Sequence, residues 1–289
     1  MCADTDIHTS IIIPTHNQGE MLKTLVNGLK DTARHFAENL ELIIIDNQSN
    51  EANVLGYLDG LESQAAAPFH QIKIIRYPHK FNFSAINNVA AMHSQASYLC
   101  FLNNDIEIIH NDWFCALCKP MQQATTGCVG AMLYYPNNTI QHAGVYLDAK
   151  NIAEHLYKNY PRGTTGDQDF LLSDQHVSAV TAACLLIRRS VFDQVGGYNE
   201  QYAVAFNDVD LCLKVQEAGY SNIWTPHAEL YHHESISRRL SHERSFLTRL
   251  KHKIAVQRMK NRWHDQLANE PHWATHVKQC TKVLFRNTV

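Results

Sequence analysis

Short apolar runs rich in β-branched residues alternate with helix-like segments along the first hundred residues, and this alternation is the strongest constraint on the fold. The runs cover residues 11–13, 42–45, 72–75 and 98–102, and helix-like segments lie at 21–29 and 87–92. Continuous apolar strands separated by helices are typical of a parallel sheet covered on both faces. The sequence therefore predicts an α/β domain that begins with βαβ units of a nucleotide-binding layout.

The bulk composition indicates a globular protein that can bury a sizeable core. Of the 289 residues, 45% are hydrophobic and 18% are charged, and a net charge of −3 argues against nucleic acid as a partner. No apolar stretch approaches the ~20 residues that span a bilayer, and the start of the sequence has no signal-peptide pattern. The cysteines resemble reduced core residues, and the CxxC of Cys115 and Cys118 has no second pair. We expect a cytoplasmic protein.

The second half of the chain departs from the alternation of strands and helices. Residues 137–175 form a long polar stretch rich in Asn, Tyr, Gly and His, which in a compact domain predicts a functional loop or lid. A strand-like run follows at 177–187. Gly219, after a Glu-Ala pair, is a typical helix C-cap, so we expect a helix at about 208–218.

Basic residues accumulate after Ser237. Phe246, Leu250 and Ile254 are four residues apart in this tail, which predicts an amphipathic helix with a basic face. The basic residues are Arg238, Arg239, Arg244, Arg249, Lys251, Lys253, Arg258, Lys260 and Arg262. Such a helix either packs on the main domain or binds anionic phospholipid, where each basic residue near the surface contributes about 1 kcal/mol.

Polar residues follow the predicted strands at the edge where ligands of open α/β sheets bind. Thr15 and Asn17 follow the first strand, Asp46 ends the second, and Asp105 comes after the run at 98–102. Carboxylates at such positions can bind a ribose or a cation, although Asp46 is also suited to capping a turn. Neither GxGxxG nor GxxxxGK[ST] occurs, so a bound diphosphate would need a cation to neutralise its charge.

Six segments, in the correct order, resemble the motifs of family 2 glycosyltransferases. They are IIIPTHN (11–17), LIIIDNQS (42–49), FNFSAINN (81–88), FLNND (101–105), NDVDLCL (207–213) and YHHES (231–235). The members that the chain resembles most are bacterial enzymes of O-antigen, capsule and rhamnan assembly. The resemblance runs from about residue 11 to 237, and WHDQLANEP (263–271) is similar to a tail segment of that group.

The resemblance implies a GT-A fold, a Rossmann-like and mostly parallel central sheet flanked by helices, here with a C-terminal helical extension. It divides the chain into a glycosyltransferase domain at 1–237 and a basic amphipathic extension at 238–289. Within the domain, the nucleotide-binding half would cover about 1–135 and the acceptor and catalytic half about 136–237. The implied reaction is inverting transfer of a hexose or deoxyhexose from a nucleotide-diphosphate sugar to a polysaccharide or lipid-linked glycan. The lack of a signal-peptide pattern predicts a cytoplasmic location, and the basic tail adds peripheral binding to an anionic membrane surface as an alternative to packing on the domain.

The resemblance also implies roles for individual residues. Asp208 aligns with the catalytic base, with Asp210 supporting it. Asp105 and His232, or less favourably His233, align with ligands of Mg²⁺ or Mn²⁺. The residues implied for the nucleotide and donor sugar are Thr15, Asn17, Asp46, Ser84, Asn87, Asn88, Asn103, Asn104 and Ala182, and those for the acceptor side are Gly197, Tyr198 and Glu200. Asn103-Asn104-Asp105 stands where the family has its D-x-D motif. Because the Asn substitutions remove charge from this motif, we expect weak cation binding without a donor diphosphate.

Two other functions are compatible with part of this pattern. A nucleotidyltransferase that makes a nucleotide sugar has a related fold, but it needs a Gly-rich loop with a basic residue after the first strand, and residues 14–19 supply neither. A catalytically silent glycan-binding module of an assembly complex has no need of Asp105, Asp208 and His232 together. The sequence does not identify the donor sugar, the base, the acceptor or the oligomeric state.

Overall fold

The computed structural model describes residues 8–36, 40–63, 66–234 and 246–272. Within these ranges the strands are β1 (Thr9–Thr15), β2 (Leu40–Asp46), β3 (Gln71–Arg76), β4 (Tyr98–Leu102), β5 (Ile106–Ile108), β6 (Thr126–Tyr134), β7 (Ile140–His142), β8 (Val145–Asp148), β9 (Ile152–His155), β10 (Gln175–His176), β11 (Cys184–Arg188) and β12 (Ser221–His232). The α-helices are α1 (Gly19–Phe36), α2 (Ala52–Ser63), α3 (Phe83–Met92), α4 (Trp113–Cys118), α5 (Arg189–Gln194), α6 (Asn207–Glu217), α7 (Phe246–Arg262) and α8 (His264–Ala268).

The central sheet has the strand order β10-β12-β6-β11-β4-β1-β2-β3. Strands β3, β2, β1 and β4 are parallel, and β6 is parallel to β12. Strand β11 lies antiparallel between β4 and β6 and joins these two parallel groups. This mixed sheet with flanking helices confirms the α/β class, and the four predicted strands of the first half are present.

Apolar side chains fill both faces of the sheet. Along β1, Ile12 belongs to one hydrophobic core with Phe101, whereas Ile11 and Ile13 belong to a second core with Trp113. Successive side chains of a strand point to opposite faces, so a continuous apolar run is what a doubly covered strand requires.

The polar stretch 137–175 is more ordered than the sequence predicted. It contains β7 and the hairpin of β8 and β9, whose Val145, Leu147 and Ile152 are buried in the core. Conversely, the predicted strand at 177–187 begins only at Cys184, because the preceding residues bend to meet β8 through one isolated bridge between Ala179 and Val145. The predicted loop therefore contains a hairpin with a buried apolar face, whereas most of residues 156–174 lie outside strands.

The described part of the tail forms α7 and α8, and α7 packs on the domain through a face other than the one that carries Leu250 and Ile254. Leu250 and Ile254 are 43% and 42% exposed, whereas Ala255, Met259 and Trp263 are buried against the core. Arg238, Arg239, Arg244 and the side chain of Phe246 lie outside the described residues, as does the predicted boundary at residue 237, which stays a prediction. In the described ranges, no helix combines the length and hydrophobicity needed to cross a membrane.

Candidate active site

A cleft of about 890 Å³ opens where β1 and β4 end. Its wall includes Thr15, Asn103, Asn104, Asp105, Ala182, Asp208 and His232. These residues come from β1, the turn after β4, the segment before β11, the start of α6 and the end of β12. The sheet therefore brings together seven residues that the sequence assigned to catalysis, donor binding or the cation.

Asp105 and His232 are joined by strand pairing. Asp105 lies in the three-residue turn between β4 and β5, and Ile106, the first residue of β5, pairs with His232. His232 Nε2 is 3.1 Å from Asp105 Oδ1, and both side chains are mostly buried. Asn103 completes the group, with its Nδ2 3.3 Å from His232 Nε2. A carboxylate oxygen and an imidazole nitrogen at this spacing are able to share a cation.

His233 points elsewhere. Its Nε2 is 2.7 Å from Glu107 Oε2, and its backbone N–H donates to the carbonyl of Asp105. Consecutive side chains of an extended segment face opposite sides, so only one of the two histidines can face the cleft. His232 is that residue, and His233 is outside the set of described residues that line the cleft.

Asp208 occupies the first turn of α6 and is tied to the same strands as Asp105. Its Oδ2 accepts a hydrogen bond from the backbone N–H of Ala182 at 3.2 Å, and its Oδ1 accepts from Val209 N–H at 2.9 Å. Ala183 follows Ala182 in the chain, and its carbonyl accepts a hydrogen bond from the backbone N–H of Asn103 at 3.0 Å. Two backbone contacts thus connect the candidate base to the turn that carries Asp105.

The predicted nucleotide residues separate into a cleft group and a bracing group. Thr15 accepts a hydrogen bond from Asn104 Nδ2 at 3.0 Å, and both line the cleft. Asn17 instead accepts from the backbone of Asn50 with its Oδ1, and Asp46 accepts from Ser49 N–H while pairing with Arg76 at 3.2 Å. Asn17 and Asp46 hold the two loops in place, and their contact with a nucleotide stays a prediction.

The predicted residues on α3, which are Ser84, Asn87 and Asn88, contact backbone groups and do not line the described cleft wall. Ser84 donates to the Tyr202 carbonyl at 2.8 Å, and Asn87 Nδ2 donates to the Phe83 carbonyl at 2.8 Å. Asn88 donates to the Tyr198 carbonyl and accepts from the Tyr198 N–H, both at 2.9 Å. Their predicted role in the nucleotide pocket stays untested.

The residues predicted for the acceptor side form the surface against which α3 packs. Gly197 has φ +62°, and a Cβ there would lie 2.8 Å from Asn88 Oδ1, so glycine fits both the backbone and the space. Tyr198 is buried beside Phe101, and burial together with the nearby Asp208 carboxylate raises the pKa of its hydroxyl well above the usual value. Glu200 contacts Asn88 Nδ2. Contact of these three residues with an acceptor also stays a prediction.

Sequence reasoning missed the cleft residues of the β7–β9 region, which include Gln141, His155 and Lys158. His155 Nδ1 is 2.8 Å from the carbonyl of Gln141, and burial lowers the pKa of this histidine although Asp208 opposes the shift. His142 lies next to it, with ring centroids 4.8 Å apart, and burial lowers its pKa well below the usual value. The available signal was the clustering of His, Asn and Tyr in 137–175.

Comparison with known proteins decides the family. The family model described as Glycosyl transferase family 2 matches residues 10–196 of the chain. The chain belongs to the family 2 glycosyltransferases. This confirms the resemblance found in the six motifs, and it argues against the nucleotidyltransferase alternative.

Among relatives of this glycosyltransferase, the uncharacterized protein y4gI of Sinorhizobium fredii is 43% identical over 255 residues, which are 88% of this chain and 27% of that protein. The O-antigen biosynthesis protein RfbC of Myxococcus xanthus is 33% identical over 234 residues, 80% of this chain and 18% of that protein. The chain thus spans about a quarter or less of these two relatives. The name of RfbC agrees with the resemblance to O-antigen enzymes seen in the motifs.

The solved structure of GalNAc-T7 with UDP, GalNAc and Mn²⁺ superimposes with a TM-score of 0.62. The sequences are 16% identical, and the match covers 79% of this chain and 44% of that one. At this identity the likeness is one of fold, and it confirms the predicted GT-A architecture.

Proposed function

We propose that the protein is an inverting, metal-dependent glycosyltransferase that moves a sugar from a nucleotide-diphosphate donor to a hydroxyl of a glycan acceptor. One observation carries the proposal. Asp208 and the Asp105–His232 pair line one cleft at the ends of the parallel strands, connected through Ala182, Ala183 and Asn103. A base and an anion-neutralising site on one cleft are what displacement of a diphosphate by a hydroxyl requires.

In the proposed reaction, the acceptor oxygen attacks the anomeric carbon on the face opposite the diphosphate. The new C–O bond forms as the bond to the diphosphate oxygen breaks, and the hydroxyl proton passes to the carboxylate of Asp208. The N–H groups of Ala182 and Val209 hold this carboxylate in one orientation. Such orientation reduces the entropy that must be lost to reach the transition state.

Asp105 and His232 are suited to hold Mn²⁺, a transition-metal ion that carboxylate oxygen and imidazole nitrogen can both coordinate. Mg²⁺ prefers oxygen ligands, so it would be held mainly through Asp105. Among the described residues, no cluster of three or more His, Cys, Asp or Glu side chains is arranged to hold a metal. A site with two such ligands leaves coordination positions for phosphate oxygens and water. When bound, the ion would neutralise charge on the leaving diphosphate.

The donor class is testable by thermal shift and calorimetry with nucleoside diphosphates and their sugars, with and without Mn²⁺. We expect one nucleotide to stabilise the protein in a cation-dependent manner, by about 2.7 kcal/mol at a ligand concentration 100 times its Kd. Asp105→Asn should abolish the cation dependence, because it removes the charged ligand. Asp112→Asn is the matched control, since this exposed carboxylate makes no capping hydrogen bond. No stabilisation by any nucleotide would instead favour a silent glycan-binding module.

The acceptor side of the proposal concerns α7, which borders the cleft. His252 lines the cleft and contacts the ring of Phe206, with centroids 5.6 Å apart. The exposed Leu250 and Ile254 lie on the same helix as exposed basic residues, which are Arg249, Lys251 and Lys253. We propose that this surface of α7 binds an anionic membrane on its cytoplasmic side, where a lipid-linked acceptor would be present.

Membrane binding by α7 predicts a charge-dependent loss in vesicle co-sedimentation. The double variant Lys251→Glu/Lys253→Glu should weaken binding to anionic vesicles by at least tenfold, given about 1 kcal/mol for each basic residue near the surface. Lys119→Glu/Lys150→Glu makes the same charge change at exposed positions outside α7 and should bind like the wild type. Equal losses in both double variants would mean that only the net charge matters.

A further inference from the structure

We propose that Gln141 is a positioning residue that fixes the ring nitrogens of His232 and His155 so that each ring keeps Nε2 as its acceptor nitrogen. The proposal rests on the proposed function, since His232 is taken there as a cation ligand. Gln141 lies on β7, is 4% exposed and lines the cleft between the two histidines that it contacts. Its side-chain amide contacts the ring of His232, and its backbone carbonyl contacts the ring of His155.

The orientation of the Gln141 amide follows from its partners. Its Nε2 lies 3.3 Å from the carbonyl oxygen of His232 and 3.5 Å from Glu234 Oε2, and both of these atoms accept hydrogen bonds. The amide nitrogen therefore faces these oxygens, and Oε1 faces His232 Nδ1 at 2.6 Å. Because an amide oxygen can only accept, Nδ1 of His232 must carry the hydrogen.

A neutral imidazole with hydrogen on Nδ1 has its lone pair on Nε2. That nitrogen is the one 3.1 Å from Asp105 Oδ1, and it lies 3.3 Å from the donor Nδ2 of Asn103. The contact with Gln141 thus aims the ligand lone pair at the Asp105 side of the cleft. Partners that orient a ligating histidine in this way typically change metal affinity 10–100-fold when they are removed.

The backbone carbonyl of Gln141 determines the tautomer of His155 by the same argument. A carbonyl accepts, so the 2.8 Å contact places the hydrogen of His155 on Nδ1 and leaves Nε2 as the acceptor of a ring that lines the cleft. The fully buried His142 packs edge-on against this ring and limits its rotation. Gln141 on β7 therefore contacts the Nδ1 atoms of two histidines that line the cleft.

The test measures the tautomer directly. Protein labelled with ¹⁵N-histidine, without added metal and at alkaline pH where imidazole is neutral, is studied by long-range ¹H–¹⁵N correlation, with His232→Ala assigning the signal. We expect His232 to carry its hydrogen on Nδ1 in the wild type. Gln141→Glu keeps an acceptor oxygen and should retain this tautomer. Gln141→Met keeps the side-chain volume but has no acceptor oxygen, so the tautomer should be lost. Mn²⁺ affinity with nucleoside diphosphate, measured by electron paramagnetic resonance, should fall 10–100-fold in Gln141→Met.

Gln175→Met is the matched control, because Gln175 bonds to Phe170 and Ser173 and should leave both readouts unchanged. An Nε2–H form of His232 in the wild type overturns the proposal without any variant. An unchanged tautomer and Mn²⁺ affinity in folded Gln141→Met also overturns it. If His232→Ala binds Mn²⁺ as tightly as the wild type, His232 is not a ligand of the proposed cation site, and the effect of Gln141 on cation affinity is excluded. The tautomer measured without metal then still tests whether Gln141 orients the His232 ring.

Discussion

Asp208→Asn is expected to lower kcat by about 10²–10⁴-fold while donor affinity stays nearly unchanged. Asparagine has the volume of aspartate and keeps one oxygen that can accept from the Ala182 or Val209 N–H, so the start of α6 should be preserved. It has no basic oxygen that can take the acceptor proton. The loss should therefore fall on the chemical step.

The two quantities need separate measurements. Release of nucleoside diphosphate in the presence of acceptor gives kcat, and calorimetry with the donor gives its affinity. Asp193→Asn, at an exposed carboxylate on α5 paired with Arg189, is the control and should retain both. Normal turnover by Asp208→Asn would exclude Asp208 as the base and would make His155, which also lines the cleft, the next candidate for that role. A parallel loss of donor affinity would instead assign Asp208 to binding.

The sheet could be predicted from the sequence because its signal is local. The runs around Ile12, Ile43 and Phe101 are apolar at every position, and the structure buries them on both faces. The hairpin of β8 and β9 was missed because its apolar residues, such as Val145 and Ile152, are spaced among Tyr, Asp, Lys and Asn. Their burial depends on contacts with distant segments, which a short window of sequence cannot contain.

The candidate site was predictable where an aligned motif named a residue at the end of a strand or directly beside one. His232 ends β12 and Asp105 lies in the turn after β4, and the pairing of β5 with β12 brings them together. Gln141 lies in none of the six motifs, and its function depends on the distance from its amide to His232. The motif that contains Ser84 also could not reveal its contact in the fold, because the hydroxyl donates to the carbonyl of Tyr202, which is 118 residues away in the chain.

The spacing of apolar residues in the tail did not show which face of α7 packs on the domain, because that face is set by polar contacts. Trp263 is fully buried, and its indole N–H donates to Asp210 Oδ1 at 2.9 Å, two residues from Asp208 in α6. Glu270 accepts from Leu147 N–H and Ser178 Oγ at 2.5 and 2.6 Å. These contacts of Trp263 and Glu270 anchor the described part of the tail in an orientation in which Met259 is buried and Leu250 is exposed.

Trp263→Ala is expected to lower the free energy of unfolding by about 3–5 kcal/mol, the usual cost of removing a buried aromatic side chain. It should also remove a donor from the buried carboxylate of Asp210. Trp263→Phe keeps most of the ring and removes the N–H, so its cost should be smaller, about 1–3 kcal/mol. Urea unfolding of both variants and the wild type gives these values. Wild-type stability in both would mean that the tail is not coupled to the domain.

The contact between Trp263 and Asp210 also predicts that stability depends on pH. Burial raises the pKa of Asp210, and the Trp263 N–H and Lys214 oppose the shift. A carboxyl whose folded pKa exceeds its unfolded value stabilises the fold below the unfolded pKa, and this contribution is lost as pH rises through the folded pKa. Removing the indole donor raises that pKa further, so the cost of Trp263→Phe should be larger at neutral pH than at mildly acidic pH.

Deleting the whole tail would remove this anchor from the helix that carries Asp208. Charge reversals on α7 therefore separate membrane binding from stability better than truncation does.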